Sequence, residues 1–253
     1  MIKFISKNIK PLVPKFIYEN IRKIFTALLT PFFFSKDTGH FKSSIKALAV
    51  DRNSKPICWF SYPAIDYLEA LDFKNISVLE FGSGQSTLWW QERCLKISSF
   101  ENDEKWFKHI HKFIHKKNSL NLVQNNKLTD QQLNIIKSER FDVLIIDGSY
   151  DRFEALNLSI NYLSEKGIVI IDNSEGYYTG KGQDKYGYFP MLKLMKEKKF
   201  CRIDFFGYAP GVIIPHSTSI FFKENSFIFD QDNLPKISRR SFAYEDRKLK
   251  KLI

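Results

Sequence analysis

VLEFGSGQST, residues 78–87, is the stretch of sequence that decides the fold. Its apolar run ends at Glu80, the chain turns through Gly82 and Gly84, and a helix is predicted to begin at Ser86. Glycines let the backbone approach a ligand closely, and the first turn of a helix offers free N–H groups. A strand, a glycine turn and a helix in this order are typical of nucleotide-binding α/β folds.

A second acidic residue stands in register with the first. The apolar run of residues 97–100 ends in Glu101, which lies 21 positions after Glu80 (101 − 80). An acid at this distance, at the end of a second strand, can accept hydrogen bonds from both hydroxyls of a ribose. The two acids and the glycine turn together predict a site for an adenosine-containing ligand.

The spacing of the glycines separates two classes of such ligand. Dinucleotide sites usually have a third glycine three positions after the second, but residues 85–88 here are Gln, Ser, Thr and Leu. The stretch 80–84, Glu-Phe-Gly-Ser-Gly, instead resembles motif I, (D/E)-x-G-x-G, of the class I S-adenosylmethionine-dependent methyltransferases. The resemblance covers about 170 residues, because the elements predicted downstream follow the order of that family.

The predicted elements from residue 77 onward alternate between strand and helix, which is typical of a parallel sheet. Only five residues, 207–211, join the last two predicted strands, so these should pair as an antiparallel hairpin. We therefore predict an α/β fold with a seven-stranded, mostly parallel, doubly wound sheet, an antiparallel terminal strand and an N-terminal helical extension. The predicted strands are 77–81, 97–101, 120–124, 141–147, 167–172, 200–206 and 217–223, and the predicted helices are 64–71, 86–96, 103–117, 129–138, 152–164 and 187–198.

The charge of the chain divides it into three parts. Residues 1–48 hold nine Lys/Arg and two acids, for a net charge of +7, and residues 233–253 hold seven and two, for +5. Since the whole chain carries +11, residues 49–232 carry −1 (11 − 7 − 5). We predict a basic helical extension, a methyltransferase domain with its Rossmann-like core from residue 77, and a basic tail. A neutral catalytic domain does not favour nucleic acid as a partner.

The N-terminal extension has two interpretations. Its alternation of basic and apolar residues up to Phe25 suits a helix lying in the interface of an anionic membrane. The alternative is a helix that packs on the domain or on a partner subunit. The apolar run 25–34 is broken by Pro31 and is too short to span a bilayer. Together with three scattered cysteines, this predicts a cytoplasmic protein, with peripheral membrane attachment as one interpretation.

The family resemblance implies roles for individual residues. Glu80 would face the methionine part of S-adenosylmethionine, often through water, and Glu101 would hold the ribose hydroxyls. The cofactor would also contact the loop and the start of the helix that follows it. A side chain that follows the third strand would reach the adenine amine, and Asn125 and Asn126 occupy this position in the sequence. The full set of predicted cofactor residues is Glu80, Gly82, Ser83, Gly84, Ser86, Glu101 and Asn125.

Acids also end the fourth and fifth predicted strands. Asp147 ends one, and the pair Asp172 and Asn173 ends the other. This arrangement resembles the metal triad of cation-dependent O-methyltransferases, which implies a Mg²⁺ site on these three residues. A bound cation would lower the pKa of an acceptor hydroxyl. The alternative is that Asp147 orients the acceptor directly, as a metal-free catalytic group or general base.

The absence of two sequence motifs restricts the chemical class of the methyl acceptor. Residues 147–150 contain no proline, unlike the Asn/Asp-Pro-Pro-Tyr/Phe motif that serves exocyclic amines, and no Pro-Cys loop for pyrimidine carbon is present there. Oxygen of a small molecule or glycan is therefore the predicted acceptor. Trp59 and Tyr62 are predicted either near the mouth of the site or packed on the sheet edge. The loop 176–190 is predicted to be a substrate lid or an ordinary surface loop.

Two other functions stay open from the sequence. One is an aminopropyl transferase, which would use the decarboxylated cofactor on the same fold. The other is a nucleotide-binding or membrane-associated module without catalysis. His109, His111 and His115 are predicted to belong to a solvated basic helix face, because lysines surround them.

Overall fold

A computed structural model describes residues 14–148, 151–175 and 188–231. Within these ranges the chain builds one seven-stranded sheet. Its strands are β1 (Ser77–Phe81), β2 (Lys96–Glu101), β3 (Ser119–Leu122), β4 (Phe141–Ile146), β5 (Leu163–Ile171), β6 (Cys201–Tyr208) and β7 (Pro215–Phe222).

The order of the strands settles the fold. It runs β3-β2-β1-β4-β5-β7-β6, with parallel pairing from β3 through β5. The last strand, β7, inserts between β5 and β6 and runs antiparallel to both. This is the fold of the class I methyltransferases. The predicted sheet, with its antiparallel terminal strand and its hairpin, is confirmed.

Eight α-helices are described around this sheet. They are α1 (Lys15–Asp37), α2 (His40–Lys46), α3 (Tyr62–Glu69), α4 (Gln85–Gln91), α5 (Glu104–His111), α6 (Asp130–Lys137), α7 (Arg152–Ser159) and α8 (Tyr188–Glu197). The helical character of the N-terminal extension is thus confirmed for its described part. None of the described helices is long and apolar enough to cross a membrane.

The core lies on both faces of the sheet because successive side chains of a strand point to opposite sides. In β4, Val143 and Ile145 belong to one buried cluster, while Leu144 and Ile146 belong to the other. Strands that are covered on both faces need apolar residues at nearly every position. This requirement explains why the central strands were visible in the sequence as continuous apolar runs.

Helix α5 is shorter than the predicted helix over 103–117. It begins after Asp103, whose carboxylate accepts the N–H of Trp106 at 2.8 Å as an N-cap. After His111 the chain continues through turns, in which the N–H of Phe113 bonds to the carbonyl of Ile110 at 2.9 Å. His109, His111 and His115 are exposed, in keeping with the predicted basic face.

The loops that follow β1 and β4 touch at two glycines. Gly82 has a φ of +95°, and a Cβ there would lie 2.6 Å from the backbone carbonyl carbon of Asp147. Gly148 has a φ of +74°, and its Cβ would lie 2.8 Å from the Cα of Gly82. Only glycine fits both the backbone angles and the space. The glycine turn after β1 is therefore held directly against the end of β4.

We expect Gly82→Ala to destabilise the protein by about 1–3 kcal/mol, because alanine is strained at this positive φ and meets the backbone of Asp147. Urea unfolding measures the loss. Gly84→Ala is the matched control, since Gly84 has an extended φ of 172° and its Cβ would stay 3.4 Å from the nearest atom, in Trp106. Equal losses in both variants would contradict the steric explanation.

Candidate active site

Glu80 lies at the centre of the site and is completely buried at the end of β1. Its carboxylate accepts hydrogen bonds from three hydroxyls, which belong to Ser86 at 2.6 Å, Ser99 at 2.7 Å and Thr87. The Thr87 hydroxyl in turn accepts the N–H of Gly84 at 2.9 Å. Glu80 therefore ties the glycine turn and the start of α4 to strand β2.

Burial raises the pKa of Glu80 to about 7, although its three hydroxyl partners act in the opposite direction. The negative charge of Asp147 raises the pKa further. Its predicted contact with the methionine part of the cofactor stays a prediction. Ser86 was predicted as a cofactor residue, and in the structure its hydroxyl is directed to Glu80.

Glu101 ends β2 and bonds to the glycine turn. One carboxylate oxygen accepts both the backbone N–H of Ser83 at 2.8 Å and its hydroxyl at 3.0 Å. The other oxygen accepts the N–H of Asp103 at 2.8 Å. An ionised carboxylate offers about four acceptor positions, so one remains here, and a turn of the Ser83 hydroxyl would release a second. These remaining acceptor positions fit the predicted contact with ribose hydroxyls, which would donate to them.

Trp106 covers the same turn, and the sequence analysis missed it. Its indole N–H donates to the carbonyl of Ser83 at 2.6 Å, and the ring lies against Gly84. A Cβ at Gly84 would lie 3.4 Å from the indole nitrogen, so the ring packs at van der Waals distance from the turn. A tryptophan on the helix after β2 carries no sequence signal of its own, so only the tertiary contact reveals it.

Asn125 does not lie among the buried residues of the site. Asn125 and Asn126 both have a φ of +52° and form an exposed two-residue turn between Gln124 and Lys127. Asparagine tolerates this left-handed conformation better than most residues, which explains its presence. The side chain of Asn126 accepts a hydrogen bond from Asn102 at 3.1 Å. The adenine contact of Asn125 stays a prediction.

A cavity of about 240 Å³ opens at the carboxyl ends of β4 and β5. Its wall combines three apolar residues with polar side chains from both strand ends and from β7. The lining residues are Trp59, Asp147, Asp172, Asn173, Ala209, Val212 and His216. Trp59 thus lies at the cavity, which agrees with the predicted placement near the mouth of the site. Tyr62 is instead buried against Phe34 of α1.

Arg152, the first residue of α7, lies among the acids at this edge of the sheet and is almost fully buried. Its guanidinium donates to the backbone carbonyl of Asp172 at 2.5 Å and to the hydroxyl of Tyr188 at 3.1 Å. It also lies 3.5 Å from a carboxylate oxygen of Asp147 and 3.4 Å from the amide oxygen of Asn173. One side chain therefore connects all three predicted metal ligands.

Asp172 is buried more deeply than Asp147. Its carboxylate accepts the hydroxyl of Thr218 at 2.6 Å, and Thr218 also accepts the N–H of Ser61 at 3.0 Å. Burial raises the pKa of Asp172 well above its ordinary range, and the nearby charge of Asp147 raises it further. Burial and the neighbouring acid therefore both favour the neutral form of Asp172.

The surroundings of the three predicted Mg²⁺ ligands already hold a positive charge. Mg²⁺ in proteins usually keeps several waters and is held by one or two carboxylates with other oxygen ligands. Here the guanidinium of Arg152 supplies positive charge between Asp147 and Asn173, and burial works against ionisation of Asp172. The predicted Mg²⁺ finds no support.

His216, which lines the same cavity, is paired with Glu175, and no pattern in the sequence predicts this pair. The Nδ1 atom of His216 lies 2.6 Å from a carboxylate oxygen of Glu175. The second oxygen of Glu175 accepts the N–H of Ser217 at 2.9 Å, which fixes the carboxylate in place. His216 lies on β7 and Glu175 follows β5, so the antiparallel insertion of β7 creates the pair.

Other predicted segments lie outside the described residues. These include most of the loop predicted as a lid, of which residues 176–187 are not described, the first thirteen residues of the extension and the tail 233–253.

Several solved structures similar to this chain are O-methyltransferases. TomG from Streptomyces achromogenes, solved in complex with SAM, is 11% identical, with a TM-score of 0.49 over 75% of this chain and 88% of that one. The O-methyltransferase from Bacillus cereus, solved with SAH, is 12% identical, with a TM-score of 0.48 over 87% and 96%. A spermidine synthase is 18% identical, with a TM-score of 0.45 over 69% and 60%.

At these identities the matches concern the fold alone. No protein-family model matches the sequence, and no curated protein matches it. The fold alone does not determine the activity, which depends on the residues of the site.

We expect Glu80→Gln to remove one source of pH dependence from the stability. The folded protein holds the Glu80 pKa near 7, above its ordinary value of 4.5, so the wild type loses stability as pH rises through this interval. Relative to the wild type, the variant should gain about 3 kcal/mol between pH 4.5 and pH 8. Urea unfolding at several pH values measures this difference. A difference that does not change with pH would contradict the raised pKa.

Proposed function

We propose that this protein is an S-adenosylmethionine-dependent methyltransferase that transfers a methyl group to an oxygen of a small molecule or glycan. One observation carries the proposal. The glycine turn predicted to bind the cofactor touches the backbone of Asp147, and the side chain of Asp147 lines the polar cavity. A cofactor on the turn and an acceptor in the cavity would therefore be neighbours, as a direct transfer requires.

The cofactor side of the site depends on Glu101. Its carboxylate is almost fully buried, is fixed by Ser83 and Asp103, and keeps acceptor capacity toward ribose hydroxyls. When bound, S-adenosylmethionine supplies a methyl group on a positively charged sulfur. The protein then has to align the acceptor with this group and exclude water.

The acceptor side combines apolar walls with polar groups. Trp59, Ala209 and Val212 can contact the body of the acceptor, while the polar side chains can orient its hydroxyl group. A volume of about 240 Å³ suits a small acceptor or one residue of a larger one. Asp147 is one group that can orient the hydroxyl, and its contact with Arg152 keeps it in place.

His216 is the candidate general base of the reaction. Glu175 bonds to its Nδ1 atom and so favours the tautomer that carries hydrogen on Nδ1, which leaves Nε2 as a proton acceptor. A histidine that lines the acceptor cavity can take the hydroxyl proton as the oxygen attacks the methyl group. The carboxylate of Glu175 would stabilise the resulting imidazolium. This assignment needs no bound cation.

The alternatives differ in the ligand that they require. An aminopropyl transferase would bind decarboxylated S-adenosylmethionine preferentially, and a module without catalysis would bind a nucleotide without turnover. A thermal-shift comparison of S-adenosylmethionine, the decarboxylated analogue and NAD therefore discriminates among them. We expect the largest shift with S-adenosylmethionine, and a larger shift with either competitor would overturn the proposal.

Glu101→Ala should weaken the binding of S-adenosylmethionine by about tenfold to a few hundredfold, because each hydrogen bond to the charged carboxylate contributes about 1.5–3 kcal/mol. Calorimetry measures the affinity. Glu104→Ala is the matched control, since Glu104 is nearby on α5 but is exposed and forms an ion pair with Lys108. If both variants bind equally well with the fold intact, the ribose assignment is wrong.

His216→Gln should lower kcat by about 10²–10⁴-fold and leave the affinity for S-adenosylmethionine unchanged, because only the proton transfer is removed. Release of S-adenosylhomocysteine, with an acceptor found by screening hydroxylated compounds, measures turnover. His115→Gln, an exposed substitution on the other side of the cofactor strands, is the control. A kcat within twofold of wild type would exclude His216 as the base, and loss of turnover in excess EDTA would indicate a cation instead.

A further inference from the structure

Helix α1 has no fully buried residue, although it is 23 residues long and rich in large apolar side chains. The apolar residues recur at positions 17, 21, 24, 28 and 32, which places them along one face of the helix. The most exposed of them is Leu28, at 70%. Among the described residues nothing covers the second half of this face, where Ile24 and Phe32 are also 59% and 60% exposed.

Helix α2 extends the apolar surface. Phe41 and Ile45, one helical turn apart, are 64% and 74% exposed. Between α1 and α2 lies an apolar cleft of about 310 Å³, whose wall also includes the stems of two lysines. The residues that line the cleft are Phe32, Ser35, Lys36, Phe41 and Lys42. An apolar cleft with basic groups at its rim suits an acyl chain beneath an anionic head group.

The net charge of this region is positive. Residues 14–48 hold six Lys/Arg and two acids, for a net charge of +4 (6 − 2). Residues 1–13 add three lysines and no acid, which completes the +7 of the extension. A second copy of this chain would present the same positive surface, so self-association here would bring like charges together. An anionic lipid surface is complementary to it.

The surface continues to a turn at the cavity. The N–H of Gly211 bonds to His40 of α2 at 3.3 Å, and a Cβ on Gly211 would lie 2.8 Å from the backbone of Ser43. The same turn contributes Val212 to the cavity wall and exposes Ile213 (85%) and Ile214 (63%) to solvent. Two adjacent exposed isoleucines are unusual on a surface that faces only water.

We propose that α1, α2 and the 211–214 turn form a docking surface for an anionic lipid bilayer. The apolar face enters the boundary between head groups and acyl chains, and the lysines remain at the level of the head groups. Docking is peripheral. It places the turn that borders the acceptor cavity at the bilayer surface. The proposal does not depend on methyl transfer, because the surface is separate from the cofactor turn.

The experiment uses the full-length protein and sedimenting vesicles of POPC with 0, 15 or 30% POPG. We expect partitioning to rise with POPG and to fall with added salt. Leu28→Glu/Phe41→Glu should lower partitioning by at least about tenfold, since both side chains enter the lipid. Leu95→Glu/Phe113→Glu carries the same change in charge at two similarly exposed positions elsewhere, 52% and 53%, and should bind almost as well as the wild type.

A second matched pair tests the lysines. Lys36→Glu/Lys46→Glu should lower partitioning by about tenfold or more, whereas Lys112→Glu/Lys116→Glu, with the same net charge on the α5 side, should lower it far less. Circular dichroism melting confirms that each variant is folded. The proposal would be overturned if partitioning of the wild type does not change with POPG content. It would also be overturned if the two variants of either matched pair partition equally. Light scattering tests the other possible occupant, a second copy of the chain. If the wild type is a dimer that does not bind vesicles, and Leu28→Glu/Phe41→Glu converts it to a monomer, then a second copy covers this face and the proposal is overturned.

Discussion

The contact between Gly82 and Gly148 is the constraint on which the site depends. Two backbones can approach this closely only where neither residue has a side chain and both adopt a positive φ. The contact fixes the distance between the predicted cofactor turn and the acid-lined edge of the sheet before any ligand is present. Preorganisation of this kind is how a protein supplies alignment for a direct group transfer. Glu80 also fixes the turn, because its carboxylate accepts hydrogen bonds from Ser86 and Ser99. The turn is therefore held both by the contact with Gly148 and by Glu80.

Charge balance is the second constraint. Asp147 and Asp172 end neighbouring strands, and two such acids would repel each other without a positive group. In this chain the buried guanidinium of Arg152 meets that need through hydrogen bonds to both strand ends and to Tyr188. An arginine is always charged and cannot dissociate as a metal ion can. The guanidinium of Arg152 therefore supplies positive charge beside the cavity that we propose for the acceptor, where His216 is the proposed base.

The sequence predicted the sheet well and the site only in part, for one physical reason. Strand β4, predicted over 141–147 and observed at Phe141–Ile146, is buried on both faces and must be apolar throughout, which is a local signal. Glu80 and Glu101 were recognisable because glycine spacing and strand ends are also local. Arg152 bonds to a residue 20 positions away, His216 to one 41 positions away and Thr218 to one 46 positions away. No short pattern encodes such contacts. The Mg²⁺ hypothesis rested on two acids and one amide that are visible in the sequence, whereas the arginine that lies between them is not visible as their neighbour.

The late position of β7 in the chain has a consequence for biosynthesis. This strand sits between β5 and β6 in the finished sheet, yet it is the last of the seven to leave the ribosome. Until residue 222 has emerged, β5 has an open edge, and Asp172 and Glu175 lack Thr218 and His216. The half of the sheet around the cofactor turn can form earlier, because β1, β2 and β4 are all synthesised by residue 146. The strands beside the predicted cofactor turn can therefore pair before those that border the proposed acceptor cavity, and the open edge of β5 can pair wrongly with another strand in the interval.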